Sequence, residues 1–419
     1  MTLGAHAGPT AAGERRRHFR LRLMIAFLLL MTIPYGRQLL SSPTVGQDFR
    51  AFFAAATVVA EHGNPYDWPT LARVEFRLYD APQHLKPGDP AFYEFLAYPE
   101  GPWLAYGLVP LTGLPWQVAD VVYASLLLAL MLVATRLLLG TLGWPPRRAW
   151  LGAGCTLLSA IGFINLFMGQ VSVIVFGGFI AAWWLARRGA GWLAGLLLCL
   201  LWLKPNIGLP LPVVVAFLVP FAARRVLAGF VAGSALLFAI ATLALGPAGF
   251  LQWPLQVPRM WQAVQGLQPD IASLESFFYP GLTGGVKTAA LALALTAATA
   301  YGIWAMRRAS DHQTRGLTLL LIWLAALPFV QSYDLILVVP LVAVLLGADL
   351  QGWQDPLVEV TIWAFLTLPL CYFLGFRLGY FNGFSAIPMT LLLLAWHRRA
   401  LSSAERRLDQ PRVVKREVA

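Results

Sequence analysis

Long apolar stretches alternate along the chain with short polar interruptions. Runs of this kind lie near 21–40, 116–139, 149–168, 171–186, 190–206 and 207–223, and again near 226–245, 286–306, 315–331, 333–348, 358–375 and 383–397. About 20 predominantly apolar residues let a helix cross the hydrocarbon of a bilayer, so the pattern predicts about twelve transmembrane helices. A further stretch, 96–114 ("LAYPEGPWLAYGLVPLTGL"), is interrupted by Pro99, Pro102 and Pro110 and reads either as a thirteenth span or as a re-entrant hairpin.

The polar residues between the runs set the orientation. "RRRHFRLR" precedes the first run, and Pro34, Tyr35 and Arg37 follow it where a signal peptide would carry small residues. An uncleaved first helix is therefore expected, entering from a basic cytoplasmic tail. With twelve spans, Arg15 to Arg17, Arg136, Arg147/Arg148, Arg187/Arg188, Arg224/Arg225 and Arg307/Arg308 all fall on the cytoplasmic side. A thirteenth span would move most of the central pairs outside, against the positive-inside rule. Segments 1–20 and 398–419 then form cytoplasmic basic tails, and 41–115 and 246–285 are the two substantial outer loops.

The first outer loop begins with "GQDFRAFFAAATVVAEHGNPYD", residues 46–67. Phe49, Phe52, Phe53, Ala56, Val59 and Ala60 recur at helical spacing, which predicts a helix with one apolar face lying on the membrane surface. "HGNPYD" stops it with turn chemistry. Asp48 at its start is either a helix cap or a chemical group. Three more polar clusters fall on the same side: Asn165 and Gln170 in "INLFMGQVS", Lys204 in "WLKPNIG", and Gln331, Tyr333 and Asp334 in "PFVQSYDL". Each alone is readable as a cap or a headgroup anchor. Polar groups at membrane depth are costly and usually face a cavity or a partner, and all four clusters on one face point to a site.

Composition narrows the classes. Only 12% of the residues are charged and 58% are hydrophobic, against about 25% charged in soluble domains. The net charge of +11 follows from membrane orientation, and no nucleic-acid partner is implied. Cys155, Cys199 and Cys371 sit inside apolar runs without ligand spacing, the histidines are scattered, and no nucleotide-binding motif occurs. No metal or other cofactor is called for.

"DFRAFFAAATVVAEHGNPYD", "YPEGPWLAYGLVPLTGLP", "NLFMGQVSVIVF", "LKPNIGLPL" and "SYDLILVVP" resemble, in this order, the motifs of family 87 glycosyltransferases. The resemblance extends from about residue 20 to 345. It implies an all-α polytopic membrane protein of the GT-C type, with 21–397 as the transmembrane glycosyltransferase domain. It also implies a polyprenyl-phosphate-sugar donor, a glycan or glycolipid acceptor, and a catalytic acid in the first outer loop, here Asp48. Where mannosyltransferase members carry histidine at the late outer motif, this chain has Ser332, Tyr333 and Asp334.

The chemistry needs one carboxylate to take the proton of the acceptor hydroxyl while the lipid phosphate leaves, with inversion at the anomeric carbon. Lys204, Arg259 in "VPRMWQ" and Arg377 in "GFRLGYFNG" are the candidates to bind the donor phosphate. Asn165, Gln170, Tyr333 and Asp334 are the candidates to bind sugar or acceptor, together with Tyr66 and Asp67 at the close of the first motif. The loop 246–285, amphipathic around 254–266, is expected to cover the groove beside Asp48. Two other functions share these features: a transporter or flippase of lipid-linked sugars, and an oligosaccharide ligase. The site is expected on the periplasmic face of a bacterial inner membrane.

Overall fold

The computed structural model describes residues 11–41, 47–79, 97–263, 284–309, 311–327, 330–368 and 386–408. Among these residues there is no β-strand. In chain order the helices are α1 (Ala11–Ser41), α2 (Gln47–Ala60), α3 (Trp68–Tyr79), α4 (Pro102–Leu108), α5 (Trp116–Thr141), α6 (Pro146–Leu158), α7 (Ala160–Met168), α8 (Ser172–Arg187) and α9 (Gly191–Leu197). They continue as α10 (Pro205–Gly208), α11 (Leu211–Leu218), α12 (Ala223–Ala263), α13 (Gly284–Arg308), α14 (His312–Ala326), α15 (Val339–Leu346), α16 (Pro356–Leu366) and α17 (Ala386–Leu408).

Four helical stretches among the described residues are long and apolar enough to cross a bilayer alone: Glu14–Arg37, Trp116–Thr141, Pro220–Gln256 and Thr288–Arg308. The pair α6 and α7, bent by 58°, makes a fifth if it counts as one span. Shorter apolar helices lie between them. α5 buries Leu127, Met131 and Leu138 yet exposes Val121, Leu126 and Val133, and Leu243 of α12 is 86% exposed. Helices apolar on both the inner and the outer face are stable only where the outer face meets lipid. The chain is an integral membrane protein.

Packing inside the bundle relies on close backbone approach. α9 crosses the first half of α12 with Gly195 against Gly229; a Cβ on Gly195 would stand 2.2 Å from the Val226 carbonyl oxygen, and one on Gly229 2.5 Å from that of Trp192. Apolar association gains little in lipid, so small residues that admit a neighbouring backbone decide such contacts.

One expectation changes and two are narrowed. α2 is not a surface helix with one wet face: Phe49, Phe52, Phe53, Ala54, Ala55, Ala56 and Val58 are all buried, because α3, α4, α5, α7 and the Val109–Gly113 turn all pack on it. Of the two readings of 96–114, the thirteenth span falls: its described residues fold as α4 and a 3₁₀ turn, Val109–Gly113, too short to span. The stretch around 254–266, expected to be amphipathic, is helical over its described residues. Gly246, at φ 72° and ψ 160°, kinks α12, and the helix continues beyond it to Ala263.

Candidate active site

The polar side chains converge where helices start, stop or break. α2 begins at Gln47, so Asp48 lies within its first helical turn, near the positive end of the helix dipole. α7 ends at Gly169, whose φ of 72° permits the left-handed turn that brings the next residue round. A Cβ on Gly169 would stand 2.9 Å from Phe49 Cβ, so glycine also lets this turn lie directly on α2. Phe49 is held on its other side by Tyr123 of α5, ring centroids 4.7 Å apart. Gln170 is thereby set beside Asp48, and its Nε2 donates to Asp48 Oδ2.

Lys204 sits at a second break, between the 3₁₀ turn Leu198–Leu203 and α10, with φ −146° and ψ 78°. Pro205 cannot supply the amide that would continue the preceding helix. Lys204 Nζ donates to Gln170 Oε1 at 3.3 Å, Ser172 Oγ at 3.1 Å and Asp334 Oδ1 at 2.7 Å, and lies 4.0 Å from the centroid of the Tyr333 ring. Asp334 comes from a third irregular segment, the 3₁₀ turn Ser332–Val338. It is fully buried: Oδ1 also accepts from Ser172 Oγ at 2.6 Å, and Oδ2 accepts from the Gln331 backbone N–H at 3.1 Å.

These bonds fix which way Gln170 faces. An ammonium only donates, so Lys204 claims the amide oxygen, and the NH₂ is left to face the carboxylate of Asp48. The result is a polarised chain from Asp48 through Gln170 and Lys204 to Asp334, in which each donor meets an acceptor and neighbouring bonds strengthen one another.

Sequence reasoning missed a further acid, Glu100. Three successive carbonyls around it are each held by an aromatic donor: Trp253 Nε1 to Pro99 O at 3.2 Å, Tyr66 OH to Glu100 O at 2.8 Å, and Tyr98 OH to Gly101 O at 2.6 Å. The carboxyl is half-buried, and its Oε2 is enclosed without a hydrogen-bond partner among the described residues. Burial pushes the carboxyl up to about 8; Lys204 pulls it down, while the charges of Asp48 and Asp334 push it up. An acid between two prolines in an apolar stretch was the available signal. Ser172 was missed as well, since a lone serine in "QVSVIVF" carries no periodic mark.

Several expected ligand-binding side chains are instead engaged in the scaffold. Asn165 is fully buried, its Nδ2 donating to the carbonyls of Ile161 and Tyr333 at 2.8 Å each, and so it ties α7 to the Asp334 turn. Asp334, also expected to bind sugar, is a buried counter-ion with both oxygens occupied by protein donors. Tyr66 is buried and pins Glu100. Asp67 is exposed at the start of α3, accepting from Thr70 Oγ1 at 2.5 Å. Lys204 uses all three of its protons within the cluster, so its expected phosphate contact would require one of these bonds to break. Arg259 lies on α12 but its side chain is outside the described residues, as is all of Arg377.

The segment after Gly246 covers this region from one side. Gln252 Oε1 accepts from Asn64 Nδ2 at 2.9 Å, and Gln256 Oε1 accepts from Trp68 Nε1 at 2.6 Å while its Nε2 donates to the Tyr66 carbonyl at 3.2 Å. With Trp253 on Pro99, one face of α12 straps the 64–68 turn and the Glu100 turn together.

A family model described as glycosyltransferase family 87 matches residues 96–331, more than half of the chain. The chain belongs to this family. The matched span holds Glu100, Gln170, Ser172 and Lys204 of the cluster; Asp48 precedes it and Asp334 follows it by three residues. No curated protein and no solved structure matches the chain. Membership makes the protein a glycosyltransferase, with a sugar donor and a glycan acceptor as its substrates.

Proposed function

We propose that this glycosyltransferase moves a single sugar, mannose or another hexose or pentose, from a polyprenyl-phosphate donor to an acceptor hydroxyl at the extracytoplasmic membrane surface. The transmembrane part follows the GT-C plan, with about twelve crossings and both termini cytoplasmic. In support, each apolar run of the sequence coincides, over its described residues, with a helix or a broken helix pair. Gln170, Lys204 and Asp334 fall at the ends of crossings that the arginine distribution turns outward, and Asp48 and Glu100 in the outer loop between the first two crossings. Residues 41–115 and 246–285 are the outer loops, and the site faces the periplasm of a bacterial inner membrane.

Asp48 takes the proton of the acceptor hydroxyl as that oxygen bonds to the anomeric carbon. The carbon–oxygen bond to the lipid phosphate breaks on the opposite side, its electron pair leaving with the phosphate, and the centre inverts. The observation that carries this assignment is the Asp48–Gln170–Lys204–Asp334 chain, which orients one carboxylate. Glu100 holds its proton to about pH 8 and is therefore no base at neutral pH; it is instead a donor for a substrate oxygen. Two carboxyl groups in environments that differ this much take opposite roles. Arg259 and Arg377 are the cations proposed for the departing phosphate, and no metal is required.

Purified protein assayed against synthetic polyprenyl-phosphate sugars tests the reading. Asp48→Asn should lower transfer by about 10²–10⁴-fold while the melting profile in detergent stays intact. Transfer at the wild-type rate by this variant would remove Asp48 from the mechanism.

A further inference from the structure

α5 and α8 pack side by side. Ser172, at the start of α8, belongs to the Asp48 cluster; Arg187, at its end, lies about 22 Å further along the helix. There a cavity of about 350 Å³ is lined by Arg136, Gly140 and Thr141 of α5 and by Trp184, Arg187 and Arg188 of the α8 end. Its size falls in the range of ligand pockets, about 300–1,000 Å³. No carboxylate lines it.

The arginines are ordered by neutral groups. Arg187 Nη1 donates to the Thr141 carbonyl at 2.5 Å, the only hydrogen bond of the three guanidiniums among the described residues. Arg188 stacks on Trp184 at 4.0 Å, and Arg136 lies 5.8 Å from the Trp150 ring. Arg136 Nε is enclosed without a partner. A side chain on Gly140 would stand 2.7 Å from Arg136 Nη1, so glycine leaves room for the guanidinium to lie across the helix.

Membrane orientation explains arginines on this side of the bundle. It does not explain three of them around one concavity with no acid. Nor do the helix termini balance them: two C-terminal ends supply about half a negative charge each, which leaves about two positive charges uncompensated.

We propose that this cavity binds the phosphodiester headgroup of an anionic phospholipid. Guanidinium forks match phosphate oxygens two at a time. Trp150 and Trp184 beside the arginines are side chains that favour the membrane interface. Val133, one turn before Arg136, is 58% exposed and continues the apolar outer face of α5 along which acyl chains would lie. The proposal is independent of the sugar-transfer reading.

Native mass spectrometry of the full-length protein, mixed with phosphatidylglycerol or with phosphatidylcholine of the same chains, tests it. Wild type should retain phosphatidylglycerol preferentially. The preference should fall about fivefold for each arginine removed in R136Q and in R136Q/R187Q/R188Q, with melting profiles recording that both variants fold. R307Q/R308Q, which removes two arginines from the end of α13 instead, should keep the preference. An equal fall in R307Q/R308Q would mean diffuse charge attraction and overturn the proposal. So would an unchanged preference in the folded R136Q variant, or displacement of phosphatidylglycerol by millimolar inorganic phosphate, which would make the cavity a free-phosphate site.

Discussion

The two ends of α8 handle charge in opposite ways. At Ser172 the surrounding backbone is broken three times, at Gly169, at Lys204 and along Ser332–Val338, and the ammonium there is matched against buried acceptors. At Arg187 the helices α5 and α8 also end at left-handed glycines, Gly143 (φ 83°) and Gly189 (φ 86°), but the guanidiniums there rest on indole faces and one carbonyl, half-buried or exposed, with no acid beside them. A buried charge must be paired and hydrogen-bonded, which requires backbone irregular enough to aim several side chains at one point. A charge at the membrane surface needs neither. What separates the two ends is therefore burial and pairing of the charge: matched against buried acceptors at Ser172, and left at the surface on aromatic faces at Arg187.

The pairing at the Ser172 end is the most vulnerable feature of the molecule. Lys204→Met leaves Asp334 charged, fully buried and short of its cation, at a cost of about 3–5 kcal/mol. It also frees the Gln170 amide to flip away from Asp48. Thermal unfolding in detergent should show the loss, and Lys204→Met/Asp334→Asn should recover part of the stability without recovering transfer. Recovery of both would mean that the ion pair serves stability alone. Loss of charge at the Arg187 end has no comparable effect on melting, since those groups are not buried against one another.

A milder break tests the geometry. Gly169→Ala forces a side chain into positive φ and against Phe49, costing about 1–3 kcal/mol. Because the same turn sets Gln170 on Asp48, transfer should fall together with the melting temperature. Full activity in a destabilised Gly169→Ala protein would separate the turn from the site.

Much of this end was legible because glycine and proline punctuate apolar runs visibly. "MGQVS" and "LKPN" announce breaks, and a polar residue beside each break has few places to point other than inward. Asp48 was legible as a carboxylate at the start of an apolar helix. The burial of α2 was not: a face of Ala51, Ala54, Ala55 and Val58 looks neutral in sequence, and only the elements packed on it show that both sides are covered. Gly246 with Pro247 read as a helix end, since the pattern cannot distinguish a kink from a stop. Asn165, Tyr66 and Asp334 read as ligand contacts because a polar side chain bonded within the protein, to a distant carbonyl or to a lysine, has the same letter as one facing a substrate. Glu100 was hidden by its own flanking prolines, which drew attention to the backbone and away from the carboxyl.

The gentlest effect per unit of change, a slope with pH, sharpens the contrast between the two acids of the site. Glu100 has a folded-state value of about 8, above the ordinary value of 4.5, so the folded protein holds this proton more tightly than the unfolded chain. Its contribution to stability is present in full below about 4.5 and is lost as pH rises through about 8. The slope cannot exceed about 1.4 kcal/mol per pH unit for one proton. Unfolding midpoints measured between pH 5 and 9 should therefore fall with rising pH in wild type and run flatter in Glu100→Gln, which cannot ionise. A wild-type protein whose midpoint is level across this window would show that the carboxyl beside Lys204 is already ionised at neutral pH. In that case Asp48 would lose its distinction as the one available base.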